Sequence, residues 1–100
     1  MELIWKDDNL SYSLSFNSEL NEWVTHVEAK TITPSLLKKY RKFIKIEHAK
    51  LKARGIDRVF GICETKKERK FNMIFGYKAV PGGIVLTEDG LLNYLTMMET

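Results

Sequence analysis

The sequence predicts a mixed α/β (α+β) fold with the element order β-β-β-α-β-α-β-β. Three observations carry that prediction. Leu10, Tyr12, Leu14 and Phe16 alternate with Ser11, Ser13 and Ser15, the period of two expected of a strand with one buried and one wet face. From Pro34 to Arg54 the apolar spacing is helical instead: Leu37, Tyr40, Ile44 and Leu51 form a stripe, widened by Leu36 and Phe43. Gly55 then stops the helix, and the short apolar run 56–63 follows as a buried strand. A long helix between two strands suggests a right-handed crossover that lays the second strand parallel to the first.

The remaining elements follow in order. Residues 2–5 (ELIW) read as a short first strand, and KDDN at 6–9 is turn chemistry, because Asp and Asn side chains bond nearby backbone. The Ser-alternating strand covers 10–16, and NSELN at 17–21 turns the chain again. Residues 22–30 form a third strand with Trp23, Thr25, Val27 and Ala29 on one face and Val24, His26, Glu28 and Lys30 on the other. Thr33 is a good N-cap and Pro34 suits the first helical position. About twenty helical residues at ~1.5 Å each span ~30 Å, enough to cross a small sheet. A second helix is expected over 65–75, with Phe71, Ile74 and Phe75 facing inward and Gly76 ending it. Asp89-Gly90 flanked by apolar residues is a hairpin signal, and Pro81-Gly82-Gly83 interrupts the first arm as a bulge or bend. The expected architecture is a mixed, mostly antiparallel sheet of about five to six strands with one long and one short helix.

One hundred residues, 44% of them apolar, suit one small domain spanning 1–100. No run reaches the roughly 18–20 apolar residues of a membrane helix. The start MELIWKDDNL lacks the cationic and apolar regions of a signal peptide. Cys63 is the single cysteine, so no internal disulfide forms and a reducing, cytoplasmic setting is expected. His26 and His48 lie far apart in sequence, and no Cys/His/Asp cluster has metal spacing. Cys63 reads as a small core residue, and Trp5 and Trp23 as core or interface anchors.

Charge is uneven. Between Lys38 and Arg54 stand eight basic residues and one acidic, a net +7, while the rest of the chain carries −4. Such a stripe is either a solvated helix face or an attractor of phosphate, nucleic acid or an acidic partner. Nucleic-acid binding through 38–54 is limited, because one face of that helix must pack on the sheet and exposed interleaved aromatics are lacking.

Strand, long helix, LKARGIDRVFGIC, short helix and then MIFGYK resemble the Gcn5-related N-acetyltransferase (GNAT) superfamily over residues 10–98. Gly76-Tyr77 stands where that family carries Gly-Phe. Within the superfamily, EWVTHVEAKTITPSLLKKYRKFIKIEHAK and TEDGLLNYLTMM look similar to small GNAT-like internal virion proteins of T7-type podophages. The resemblance implies a truncated domain without the family's N-terminal helices, in a phage-infected cytoplasm or a virion. It also implies an acetyl-CoA site with three requirements.

The first requirement is a glycine-rich turn of the type Arg-x-x-Gly-x-Gly before the long helix, whose bare amides and helix dipole meet the pyrophosphate. Here Lys30, Thr31, Ile32, Thr33, Pro34 and Ser35 stand there, with no glycine and one N–H removed by Pro34. Thr31, Ile32, Thr33 and Ser35 are the residues left for that role. The second is an exposed strand backbone for the pantetheine arm, provided by Val27, Glu28 and Ala29. The third is proton traffic. The family's Tyr acid, four residues before the glycine, falls on Asn72, which cannot give up a proton near neutral pH. Its Asn, eleven residues before, falls on Thr65. Tyr40, Tyr77 and Tyr94 are substitutes in type. Glu28 and His26 share a strand face and are the candidate base pair, or else polar residues of a half-buried strand. Lys66, Lys67, Arg69 and Lys70 stand near the family's 3′-phosphate position. The expectation is a GNAT-like protein with a degenerate site, binding a host or virion protein or a second copy of itself. The alternative is a minimal acetyl-CoA-dependent N-acetyltransferase.

Overall fold

A computed structural model describes residues 2–86 and 92–100. The chain runs β1 (Glu2–Lys6), β2 (Leu10–Asn17), β3 (Glu22–Ala29), α1 (Pro34–Ala53), β4 (Arg58–Cys63), α2 (Lys66–Ile74), β5 (Lys78–Leu86) and β6 (Leu92–Glu99). This is the order expected from the sequence. The Asp89-Gly90 turn lies outside the described residues.

The six strands form one sheet in the order β1-β2-β3-β4-β6-β5. All neighbours are antiparallel except β3 and β4, which run parallel because α1 carries the chain between them. The β2–β3 ladder is unbroken from Leu10↔Ala29 to Asn17↔Glu22, and β4–β6 from Arg58↔Glu99 to Cys63↔Tyr94. The β3–β4 contact is different. Its register holds at one pair, Val24↔Phe60, and beyond it the two strands part. The Pro81-Gly82-Gly83 interruption sits where the β5–β6 register shifts between Ala79 and Ile84.

Local chemistry sets the helix ends. Thr33 caps α1, its hydroxyl accepting from the Leu36 amide at 3.2 Å, with Pro34 in the first turn. The other end closes with Gly55 N–H donating to the Lys52 carbonyl and Ile56 N–H to the Leu51 carbonyl. α2 opens with reciprocal caps: the Thr65 hydroxyl accepts from Glu68 N–H at 3.1 Å, and the Glu68 carboxylate accepts from Glu64 N–H at 2.7 Å.

The core joins Leu10, Tyr12 and Leu14 of β2 to Tyr40, Ile44 and Leu51 of α1, with Ile56, Val59, Phe75 and Tyr77 behind them. Burying each large apolar side chain contributes roughly 1.5–3 kcal/mol. Trp5 closes one end, stacked on Phe43 with ring centroids 4.5 Å apart and edge-on to Tyr40. Three expectations need correction. Ile74 does not face inward; it is exposed, while Phe71 packs against the core partly buried and Phe75, at the C-cap of α2, enters it. Ser13 is buried although it belongs to the face expected to be wet, since it is flanked by Leu3 of β1 and His26 of β3. Phe16 is half-exposed near the end of β2, where it meets Trp23 edge-on. The helix contributes one further buried residue, His48.

Candidate functional site

The parting of β3 and β4 opens a cleft of about 450 Å³. Thr25, His26, Val27 and Glu28 line one wall and Ile62, Cys63 and Glu64 the other; Glu68, Phe71 and Asn72 of α2 and Asn93 of β6 complete it. The cause is topological. Two parallel strands joined through a helix and paired at one residue diverge with the right-handed twist of the sheet, and nothing pulls their far ends together. The backbone beyond Val24 and Phe60 is therefore open on facing edges.

The cleft's apex is bridged by side chains. The Thr25 hydroxyl donates to the Phe60 carbonyl at 3.4 Å and is also hydrogen-bonded to the Tyr77 hydroxyl. Tyr77 is bonded to the Tyr12 hydroxyl at 2.8 Å, and Tyr12 to His48 Nε2 at 2.7 Å. A continuous polar chain thus runs from the cleft through the core to α1. All four side chains are almost fully buried. Burial pushes both phenols above the ordinary range, with each phenol's hydroxyl neighbours acting after it, so both stay protonated at neutral pH. Burial also lowers the His48 pKa to about 4, leaving the ring neutral.

Asn72 stands on the cleft wall with its carboxamide engaged. Its Nδ2 donates to Cys63 Sγ at 3.2 Å and to Thr96 Oγ1 at 3.3 Å, and Thr96 Oγ1 donates to the Gly61 carbonyl at 3.0 Å. Gly61 is glycine for a steric reason: a Cβ there would sit 2.5 Å from Asn72 Nδ2 and 2.8 Å from Thr96 Oγ1. Burial raises the Cys63 pKa, so this thiol is not poised as a nucleophile. Gly76 takes φ +106°, which only glycine adopts easily. It turns the chain from α2 so that Tyr77 enters the core.

The bend before α1 is held from across the sheet. Asn9 grips Thr31 at both ends: its Nδ2 donates to the Thr31 carbonyl at 2.8 Å, and its Oδ1 accepts from Thr31 N–H at 2.9 Å. Asn9 Nδ2 also donates to the Tyr40 hydroxyl at 2.9 Å, and the Asn9 carbonyl accepts from Lys30 N–H. Between Lys30 and Leu36 four positions therefore offer no free amide: Lys30 and Thr31 N–H bond Asn9, Leu36 N–H bonds Thr33, and Pro34 has none. Beside the bend a hollow of about 720 Å³ is lined by Asp7, Asp8 and Glu28 as well as Lys6 and Lys30. The Leu10 amide, at 2.6 Å, holds the Asp7 carboxyl below the ordinary range, helped by Asn9, Tyr40 and Lys39.

Among the residues expected to form a site, His26, Val27, Glu28 and Asn72 come together in the cleft. Ala29 and Lys30 line the neighbouring hollow together with Glu28. Thr31, Ile32, Thr33 and Ser35 belong to the bend, and Thr65 caps α2. Of the three substitute tyrosines, Tyr77 is in the buried chain, Tyr40 donates to Asp7 at 3.2 Å, and Tyr94 lies under the Arg69 guanidinium, 4.9 Å from its ring centre. Sequence reasoning missed His48, Tyr12 and Thr25 as a connected set. His48 was detectable as a polar residue on the apolar stripe, between Ile44 and Leu51; its partner on β2 was not. Among the described residues no group of His, Cys, Asp or Glu is placed to hold a metal ion, and no helix is long and apolar enough to cross a membrane.

No known protein-family profile matches the chain, and no curated protein matches it in sequence. Among solved structures, the crystal structure of an aminoglycoside 6′-acetyltransferase type Ii is similar with a TM-score of 0.62 at 12% identity. The match covers 95% of this chain, and the chain spans 65% of the length of that structure. The chain thus shares its overall fold with that structure.

Proposed function

We propose that this is a phage-type GNAT-like protein whose acetyl-CoA site is degenerate and which acts without catalysis, by binding a host or virion protein. One observation carries the reading, the grip of Asn9 on Thr31. A pyrophosphate at the start of α1 needs free amides and an uncluttered approach. Here Thr31 N–H is already bonded, Leu36 N–H is capped, Pro34 has no N–H, and the ionised Asp7 stands nearby. Releasing Thr31 would break two hydrogen bonds to Asn9, whose Nδ2 would keep the Tyr40 hydroxyl. The cleft between β3 and β4 suits a narrow, uncharged arm such as pantetheine, but its described lining holds Glu28, Glu64 and Glu68 and no lysine or arginine, with Arg69 near Cys63. The residues present therefore fit the arm of coenzyme A and not its phosphates. Asn72, at the expected acid position, gives up no proton near neutral pH. The phage assignment rests on the sequence patterns at 22–50 and 87–98, and with it the host cytoplasm or the virion as location.

Isothermal calorimetry with acetyl-CoA tests this. The expected result is no binding tighter than about micromolar, some 8 kcal/mol. Sub-micromolar affinity overturns it. The cleft itself favours a second reading, a minimal acetyl-CoA-dependent N-acetyltransferase, which would add one acetyl mass to an amine acceptor.

A further inference from the structure

The cations of α1 and its C-cap differ in their partners; Lys52, on the last turn, meets no carboxylate among the described residues. Lys39 lies 3.9 Å from Asp7, Lys50 is 3.1 Å from Glu47 and Arg54 is 2.8 Å from Glu2. Those three meet carboxylates of this chain. Lys38, Lys42 and Lys45 do not: among the described residues they have no carboxylate partner. They are exposed and follow one flank of the helix with Arg41, at spacings of three and four. Like charges so spaced repel and weaken a helix, and among the described residues no carboxylate offsets the repulsion.

The same flank is concave. Pro34, Leu37, Lys38, Arg41, Lys42 and Lys45 line a groove of about 370 Å³. Pro34 and Leu37 give it apolar surface between the cations. Arg41 is fixed there, its guanidinium donating twice to the Ile74 carbonyl at the end of α2, with Nε at 2.9 Å. This contact ties the groove to the end of α2, where Met73 and Ile74 are exposed.

We infer that this groove docks an acidic amphipathic polypeptide segment, whose carboxylates meet Lys38, Lys42 and Lys45 while its apolar side chains cover Leu37 and the end of α2. The inference rests on the binding role proposed above and names the surface and the partner's chemistry. Charge complementarity selects an acidic occupant. The apolar strip selects a polypeptide over nucleic acid, since a phosphate backbone has nothing to place against Leu37, Met73 and Ile74.

Fluorescence anisotropy is the test, with a labelled synthetic helix in which Glu and Leu recur at spacings of three and four. Expected are measurable binding that weakens as salt rises, and a loss of about tenfold or more in the Lys38→Glu/Lys42→Glu/Lys45→Glu variant, equal to about 1.4 kcal/mol. A polyglutamate of equal charge without leucine should also bind about tenfold more weakly. The single Lys42→Glu variant serves if the triple one fails to fold by circular dichroism, and should weaken binding in the same direction. Absence of binding, or binding unchanged by the substitutions, overturns the proposal. So does tighter binding of oligothymidylate or a DNA duplex than of the peptide, or displacement of the peptide by acetyl-CoA. The calorimetry above uses no peptide, so the two readings fail separately.

Discussion

Replacing Tyr12 by phenylalanine removes one oxygen from the interior and tests whether the buried chain is a structural unit. In the native protein that hydroxyl is bonded to His48 Nε2 at 2.7 Å and to Tyr77 at 2.8 Å. Its loss deletes two hydrogen bonds and leaves His48, 3% exposed, with a ring nitrogen facing carbon. A buried hydrogen bond contributes about 1 kcal/mol net, and an orphaned buried polar atom costs about 1–3 kcal/mol. Tyr77 keeps Thr25 as a partner, so the orphan penalty applies once. The expected loss is about 2–4 kcal/mol, a large share of the roughly 5–15 kcal/mol typical of a small domain. Each kcal/mol lowers the melting temperature by about 4–8 °C at this size. Tyr77→Phe is the comparison that gives the argument its edge. It too deletes two hydrogen bonds, but Tyr12 keeps His48 and Thr25 keeps the Phe60 carbonyl. No group is stranded, and the loss should be nearer 1–2 kcal/mol. Urea unfolding of both variants against the native protein decides the matter. If Tyr77→Phe costs as much as Tyr12→Phe or more, the orphan reasoning is wrong.

Two further predictions concern the same interior. The His48 pKa is lowered to about 4 by burial, below the ordinary 6.5, so the unfolded chain binds the extra proton first. Its contribution is full above pH 6.5 and drains away as pH falls toward 4, by about 3 kcal/mol in all. The His48→Gln variant should lose less stability than the native protein over that window; parallel losses would show that another group titrates. Gly61→Ala should cost at least about 2 kcal/mol, because its Cβ would lie 2.5 Å from Asn72 Nδ2 and 2.8 Å from Thr96 Oγ1; a melting temperature within a degree or two of native would mean that Asn72 swings clear.

The elements were legible where local chemistry specifies them. Thr33-Pro34 and Gly55 bound α1 within a residue, and the alternation at 10–16 marks β2. Tertiary context decided the rest. Ile74 has an apolar identity and the right helical spacing, yet α2 rides at the surface with Phe75 as its anchor. Asn9 reads as a turn residue, and its grip on Thr31 joins segments 22 positions apart. The insertion of β6 between β4 and β5 has no local signal, because a hairpin pattern does not say which arm meets the sheet. Val27, Glu28 and Asn72 were singled out through the resemblance, and His26 because it shares a strand face with Glu28; the hydroxyl chain behind them depends on three non-local hydrogen bonds.

The cleft and the bend carry unequal weight as evidence about a cofactor. The cleft follows from topology: any chain that passes from β3 through a long helix to a parallel β4 paired at one residue leaves the strand ends apart. It would persist in a protein that had stopped using it, since closing it would require rebuilding the sheet. The bend depends on six residues and can change by point substitution. Backbone amides meet a phosphate only if no side chain takes them first and each residue has an N–H to give. Thr31 is taken by Asn9, Leu36 by Thr33, and Pro34 has nothing to offer. Of the two neighbouring features, the bend is the one that point substitution alters easily, so its amides and not the cleft's shape are what bear on the degenerate site proposed above.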